Sequence, residues 1–211
     1  MTQTSDPVPP AQTRHKSPWL LIGILAAIFV LPVIAAWLLY LNINRVHFGT
    51  TQHGEFVTPA RLLHPASLPL PLAGGTLAPD YFHGRYTLVY LSAADCNPDC
   101  EAALILTRQT RLALGRKIES AQRLYLVLGA PADPAKLLRE QPDLTVVDVS
   151  DPAGQDFIRQ FSADGHSMPD IGKYIYLVDP RGYYMLRYPV QGPPEGLLKD
   201  LQHLLGQGGG L

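Results

Sequence analysis

Only two of the 211 residues are cysteine. They are Cys96 and Cys100, in the run Asp95-Cys-Asn-Pro-Asp-Cys100. Two thiols this close can open and close a disulfide with a partner, hold Cu(I) between soft thiolates, or serve as a plain staple. Inside a regular helix, residues four apart hold their Cβ atoms ~5–6 Å apart. A disulfide needs ~3.8 Å. Asn97 is a favoured N-cap and Pro98 then falls at the first helical position, so Cys96 lies just before the helix and its loop can close the gap. Cys100 falls in the first turn, where free N–H groups and the dipole favour a thiolate. Asp95, Asp99 and Glu101 oppose that anion, which predicts less acidic thiols than in a strongly oxidising Cys-x-x-Cys enzyme. So short a loop gains little from chain entropy. The position between strand and helix reads as a site, with the staple as the plainer alternative.

The elements around the pair follow from the hydrophobic pattern. Tyr86–Leu91 and Arg123–Leu128 read as buried strands, Glu101–Leu114 as a helix stopped by Gly115, and Pro134–Glu140 as a short helix. Leu144–Val149 reads as a third, shorter strand, followed by a helical turn at Gln155–Phe161. Lys173–Val178 and Tyr183–Tyr188 form a hairpin across the turn Asp179-Pro-Arg-Gly182, and Pro193–Leu205 is an amphipathic helix. The fold class is α/β, a thioredoxin-like mixed sheet flanked by helices. Thioredoxin-like folds set a cis-proline opposite the cysteine pair, and Met168-Pro169 is either that bond or an ordinary loop proline.

The domain is expected at 80–206, with a flexible tail at 207–211. Before it, Trp19–Leu41 is a run without a charged residue, long enough to cross a ~30 Å hydrocarbon layer. Trp19, Trp37 and Tyr40 suit interfacial belts. The run is too long for an ordinary signal-peptide core and lacks a small-x-small cleavage pattern. It reads as one N-terminal transmembrane helix, spanning 19–41. Residues 1–18 form a polar tail, and 42–79 a Pro-rich spacer that leads to the domain. Arg14 and Lys16 before the span, against Arg45 after it, favour the N-terminus inside. The expected location is the bacterial inner membrane, with the domain in the periplasm where disulfides form. A net charge of −1 and the lack of a basic stripe argue against nucleic acid.

The run Arg85–Leu91, Cys96-x-x-x-Cys100 and Ile175-Tyr-Leu-Val-Asp-Pro-Arg-Gly182 resembles the Sco/SenC family of the thioredoxin superfamily. A still closer resemblance is to the short transmembrane cytochrome oxidase associated proteins of proteobacteria. It is carried by the anchor, Gly54-Glu55, the helix Arg108–Gly115 and the ending Leu186–Pro189. It implies an assembly factor for cytochrome c oxidase that handles copper, as Cu(I), or reduces copper-site thiols through Cys96 and Cys100. Its partners would be an oxidase subunit or its maturation factors. Two positions depart from the Sco pattern. Asn97, not proline, follows the first cysteine, and Ile171 stands where Sco proteins have a histidine copper ligand. His166 is the nearest substitute, with Met168 as a soft neighbour. Two further readings stay open: a non-catalytic docking or scaffold protein for oxidase biogenesis, and a general periplasmic thiol–disulfide oxidoreductase.

Overall fold

The computed structural model describes residues 18–41, 53–65, 67–162 and 164–207. Most of the polar tail, the start of the spacer with Arg45 and His47, and residues 208–211 lie outside them. The chain divides into two compact units, Met1–Thr50 and Thr51–Leu211. In the first, helix α1 (Pro18–Leu41) runs for 24 residues with Pro32 inside it, about 36 Å at ~1.5 Å per residue. Its described side chains, among them Ile22, Leu25, Phe29 and Val33, are apolar and exposed. Counted over described side chains alone, no helix is long and apolar enough to cross a membrane.

The second unit is a six-stranded sheet. Its strands are β1 (Glu55–Leu62), β2 (Tyr86–Ala93), β3 (Ala121–Leu128), β4 (Leu144–Asp148), β5 (Tyr174–Val178) and β6 (Tyr183–Pro189). They lie in the order β1-β6-β5-β2-β3-β4. β2, β3 and β4 are parallel, while β5, β6 and β1 add antiparallel. The expected strand–helix–strand, hairpin and terminal helix are all present. β2 is buried on both faces, in keeping with its largely apolar sequence. Its alternate residues point opposite ways. Leu88 and Tyr90 meet α2 (Pro98–Ala113) and α5 (Pro194–Gln207) through Ala103, Leu104, Leu197 and Leu201. Val89 and Leu91 meet α4 (Pro152–Arg159) through Phe157 and Ile158.

Helices α2, α3 (Pro134–Glu140) and α4 start alike. Asn97, Asp133 and Asp151 cap them, accepting from the N–H of Cys100, Lys136 and Gly154 at 2.9, 2.8 and 2.6 Å, each with proline next. The cap satisfies one orphan N–H and proline spends none. Gly115 ends α2 at φ 56°, a left-handed backbone that glycine adopts without Cβ strain.

Two points go beyond the sequence reading. The segment assigned to the spacer is built into the domain from residue 53 onward. Glu55–Leu62 forms edge strand β1 against β6, and Leu63, Leu68 and Leu77 are core residues. β1 is hard to see in sequence because it is an exposed edge with Pro59 inside and a register shift between Phe56 and Arg61. The second is at Met168-Pro169, where the alternative of an ordinary loop proline holds: the bond is not cis, and among the described residues the cis bond is Thr58-Pro59. The approach to β5 is made instead by Gly172, at φ 77°, whose N–H donates to the Leu91 carbonyl at 2.8 Å.

Candidate functional site at the mouth of helix α2

β2 delivers the chain to the cysteines and the Asn97 cap turns it into α2. Cys96 and Cys100 are joined in a disulfide with Cα atoms 5.2 Å apart, inside the range such a bridge needs. The two sulfur-bearing residues differ in access. Cys100 is 1% exposed, whereas Cys96, ahead of the cap, is only half-buried. Of the two, Cys96 is the more accessible from solvent.

The buried sulfur has neutral neighbours. Ser92 Oγ lies 3.5 Å and Tyr125 Oη 3.6 Å from Cys100 Sγ, and these two oxygens are 2.6 Å apart. Both come from strands, Ser92 near the end of β2 and Tyr125 from β3. The Tyr90 ring stacks on Tyr125 with centroids 6.1 Å apart, and the Tyr90 hydroxyl donates to the Gly172 carbonyl at 3.4 Å. Burial pushes the Tyr125 hydroxyl above its ordinary pKa, with the Ser92 hydrogen bond opposing. Tyr125 therefore remains a phenol, able to donate, at any physiological pH.

A groove of about 170 Å³ opens beside Cys96, between Leu104 and Ile105 of α2, Pro131 and Ala132 of the loop between β3 and α3, and Leu137 of α3. Its rim carries Lys136 Nζ donating to Glu101 Oε1 at 2.6 Å. Its base is held by Arg123, a fully buried cation on β3. Nη2 of Arg123 donates to the Leu104 carbonyl and to Gln141 Oε1, both at 2.7 Å, Nη1 to Asp143 Oδ1 at 2.9 Å, and Nε to Thr107 Oγ1 at 3.2 Å. Burial lowers its pKa to about 10, with Asp143 opposing, so it stays charged at neutral pH. Sequence reading did not single out Arg123, although an arginine leading a run of buried strand residues is a signal in itself.

His166 is exposed on the loop before β5. Asp164 organises that loop, accepting from the N–H of His166 at 2.9 Å, from the N–H of Ser167 at 2.8 Å and from Ser162 Oγ at 2.8 Å. These bonds hold the Asp164 carboxyl well below the usual carboxylate range. Among the described residues, no three His, Cys, Asp or Glu side chains assemble a place for a metal ion. The structure therefore joins Cys96 to Cys100 but does not gather His166 with them. Sequence reasoning also missed Ser92 and Tyr125, since hydroxyls inside strands carry no spacing signal.

A family model described as transmembrane-like, thioredoxin-like, C-terminal domain matches residues 86–207. Among solved structures, copper-bound ScoI of Bradyrhizobium japonicum is similar at a TM-score of 0.53 and 20% identity, over 68% of this chain and 99% of that one. Yeast Sco1 gives 0.59 at 15% identity, over 71% and 97%. BsSco, a Sco-family cytochrome c oxidase assembly protein in which a disulfide switch was identified, gives 0.51 at 12%, over 69% and 94%. At such identities the likeness is one of fold. No curated protein matches the sequence. With the family model covering more than half of its length, the chain belongs to the transmembrane-like, thioredoxin-like family.

Proposed function

We propose that this chain is a membrane-anchored assembly factor for cytochrome c oxidase that works by thiol–disulfide exchange through Cys96 and Cys100. The observation that carries this reading is the unequal access of the two sulfurs: Cys96 half-buried before the cap, Cys100 sealed beneath α2. In the reduced form, the Cys96 thiolate attacks a partner disulfide and forms a mixed disulfide, and the partner's other sulfur departs as a thiolate. Cys100 then attacks Cys96 Sγ and expels the second partner thiolate. Two electrons have passed to the partner, and the pair is left bridged as seen here. The groove beside Cys96 leaves room for the residues flanking the partner cysteine.

A second reading, Cu(I) carried as cargo between the two thiolates, is supported by the copper bound to the similarly folded ScoI of Bradyrhizobium japonicum. Soft thiolates suit that ion. The bridged sulfurs would first have to be reduced, since a disulfide offers no thiolate ligand. Helix α1 would anchor the chain in the bacterial inner membrane with the domain in the periplasm. An uncharged helix of about 36 Å with exposed Trp19 and Trp37 supports the anchor.

One experiment orders these readings. The full chain in detergent is equilibrated with dithiol buffers, mixed with an oxidised, copper-free oxidase subunit bearing the dicysteine copper site, and separately titrated with Cu(I) against a chromophoric chelator. A reversible two-electron couple with transfer to the subunit's cysteines is expected. A bridge that excess dithiol does not open would overturn the exchange reading and leave a structural staple in a docking protein.

A further inference from the structure

The sulfur that must carry transient negative charge during exchange is the buried one. Each time the bridge is opened at Cys96, the electron pair of the S–S bond goes to Cys100 Sγ. An isolated thiolate in an apolar site is costly. No charged side chain hydrogen-bonds this sulfur among the described residues; its polar neighbours are the hydroxyls of Ser92 and Tyr125.

We propose that Ser92 and Tyr125 are catalytic residues of the exchange, forming a cradle of two hydroxyls that hydrogen-bond the Cys100 thiolate as it forms. The proposal rests on the exchange reading above and assigns the groups that make it run. In the bridged state the hydroxyl hydrogens have other places to go. Ser92 Oγ donates to the Ala93 carbonyl at 2.9 Å, and Tyr125 stands 2.6 Å from Ser92 Oγ. When Cys100 becomes an anion, rotation about the Cβ–Oγ bond of Ser92 and the Cζ–Oη bond of Tyr125 turns both hydrogens to the sulfur. No heavy atom has to move, because β2, β3 and the stacked Tyr90 already fix the oxygens. Hydrogen bonds to an ionised acceptor are roughly twice as strong as neutral ones, so the cradle favours the thiolate over the bridged sulfur.

The cradle transfers no proton of its own. In reduction of the bridge by an external thiolate, that thiolate bonds to Cys96 Sγ and the S–S bond breaks. Cys100 leaves as a thiolate and then takes a proton from water. In the reverse direction Cys100 gives its proton to water before it attacks Cys96 Sγ. As a leaving group Cys100 departs faster when the hydroxyls stabilise its thiolate; as a nucleophile it gains more in thiolate fraction than it loses in nucleophilicity while the thiol is mostly protonated.

The test uses the full chain in detergent, as the parent and as Tyr125→Phe, Ser92→Ala, Ser92→Thr and the Phe/Ala double variant, each checked for cooperative thermal unfolding. Two quantities are read: the rate at which dithiothreitol opens the bridge, and the thiolate pKa of Cys100 in a Cys96→Ser background, from ultraviolet thiolate absorbance. Loss of either hydroxyl is expected to slow opening by about three- to tenfold, since a less acidic leaving thiol departs more slowly. It is also expected to raise the Cys100 pKa by about one unit. The double variant should lose more, and Ser92→Thr should restore the parent values. Folded single variants that keep the parent rate to within about twofold and the parent pKa would overturn the cradle. A parent bridge that dithiothreitol does not open would overturn the exchange reading instead, while the pKa arm still reports on the cradle. Should Tyr125→Phe fail to fold, Ser92→Ala and Ser92→Thr decide the matter.

Discussion

The mouth of α2 and the inner face of α5 each bury a group able to carry charge, and they treat it in opposite ways. At α2 the buried sulfur of Cys100 has two rotatable neutral hydroxyls nearby and sits next to a half-open partner. At α5 the Asp200 carboxylate is 3% exposed and saturated. It accepts from the N–H of His53 at 2.8 Å, the N–H of Gly54 at 3.0 Å and the Tyr188 hydroxyl at 2.9 Å, with His53 Nδ1 a further 3.3 Å from Oδ1. Burial, then the Asp200 charge, pushes the Tyr188 hydroxyl far up its scale, so it donates permanently. The Asp200 carboxyl is met by fixed donors from backbone and side chain, whereas Cys100 Sγ has two rotatable hydroxyls beside it. The α5 cluster also holds His53 and Gly54, just ahead of β1, and so fixes where the chain enters the sheet.

Changes on the two sides should separate function from architecture. The largest effect expected is Cys96→Ser, which removes the attackable sulfur; exchange should fall to background while thermal unfolding stays cooperative. Next comes Arg123→Ala, which strips partners from the Leu104 carbonyl, Gln141 and Asp143. Chemical denaturation should show a loss of about 3–5 kcal/mol, the usual cost of breaking a buried charged network. Asp200→Ala leaves two N–H groups and the Tyr188 hydroxyl short of an acceptor, a cost of about 1–3 kcal/mol. Hydrogen exchange should then quicken in β1, with the dithiothreitol rate at Cys96 unchanged. A changed rate there would show that the two regions are coupled. Asn97→Ala removes the α2 cap and should cost about 1 kcal/mol.

The smallest effect is one of pH. Asp164 and Asp148 both have carboxyls held below their ordinary pKa. In Asp164 the N–H groups of Ser167 and His166 are the main cause; in Asp148 burial pushes up, but hydrogen bonds from Ser150 and Gly129 outweigh it. The unfolded chain therefore takes up protons first as pH falls. The stability these groups add is complete above the ordinary carboxylate range and is lost as pH drops toward the depressed values. Asp164→Asn should flatten that acid limb of the unfolding curve.

The parallel half of the sheet was legible because its strands are buried on both faces and leave uninterrupted apolar runs, as at Tyr86–Leu91 and Arg123–Leu128. The start of α2 was legible because Asn97-Pro98 states its own cap. β1 was not, since a mostly exposed edge strand broken by Pro59 carries no clear period. Asp200 left a faint trace. It lies on the same helical face as Leu197, Leu201 and Leu204, where a carboxylate is out of place unless something answers it. Of the site, the cysteines could be read from spacing, but the oxygens beneath them depend on the register of β2 against β3, which pairs Ser92 with Val127 and sets Tyr125 opposite Tyr90. Such register is a tertiary fact.

The most direct test of the account is the relative alkylation rate of the two cysteines in the reduced full chain, followed residue by residue by mass spectrometry. Cys96 should be modified at least about tenfold faster than Cys100, as its access demands. Equal rates, or faster modification of Cys100, would contradict the claim that one sulfur faces the partner while the other waits beneath the helix.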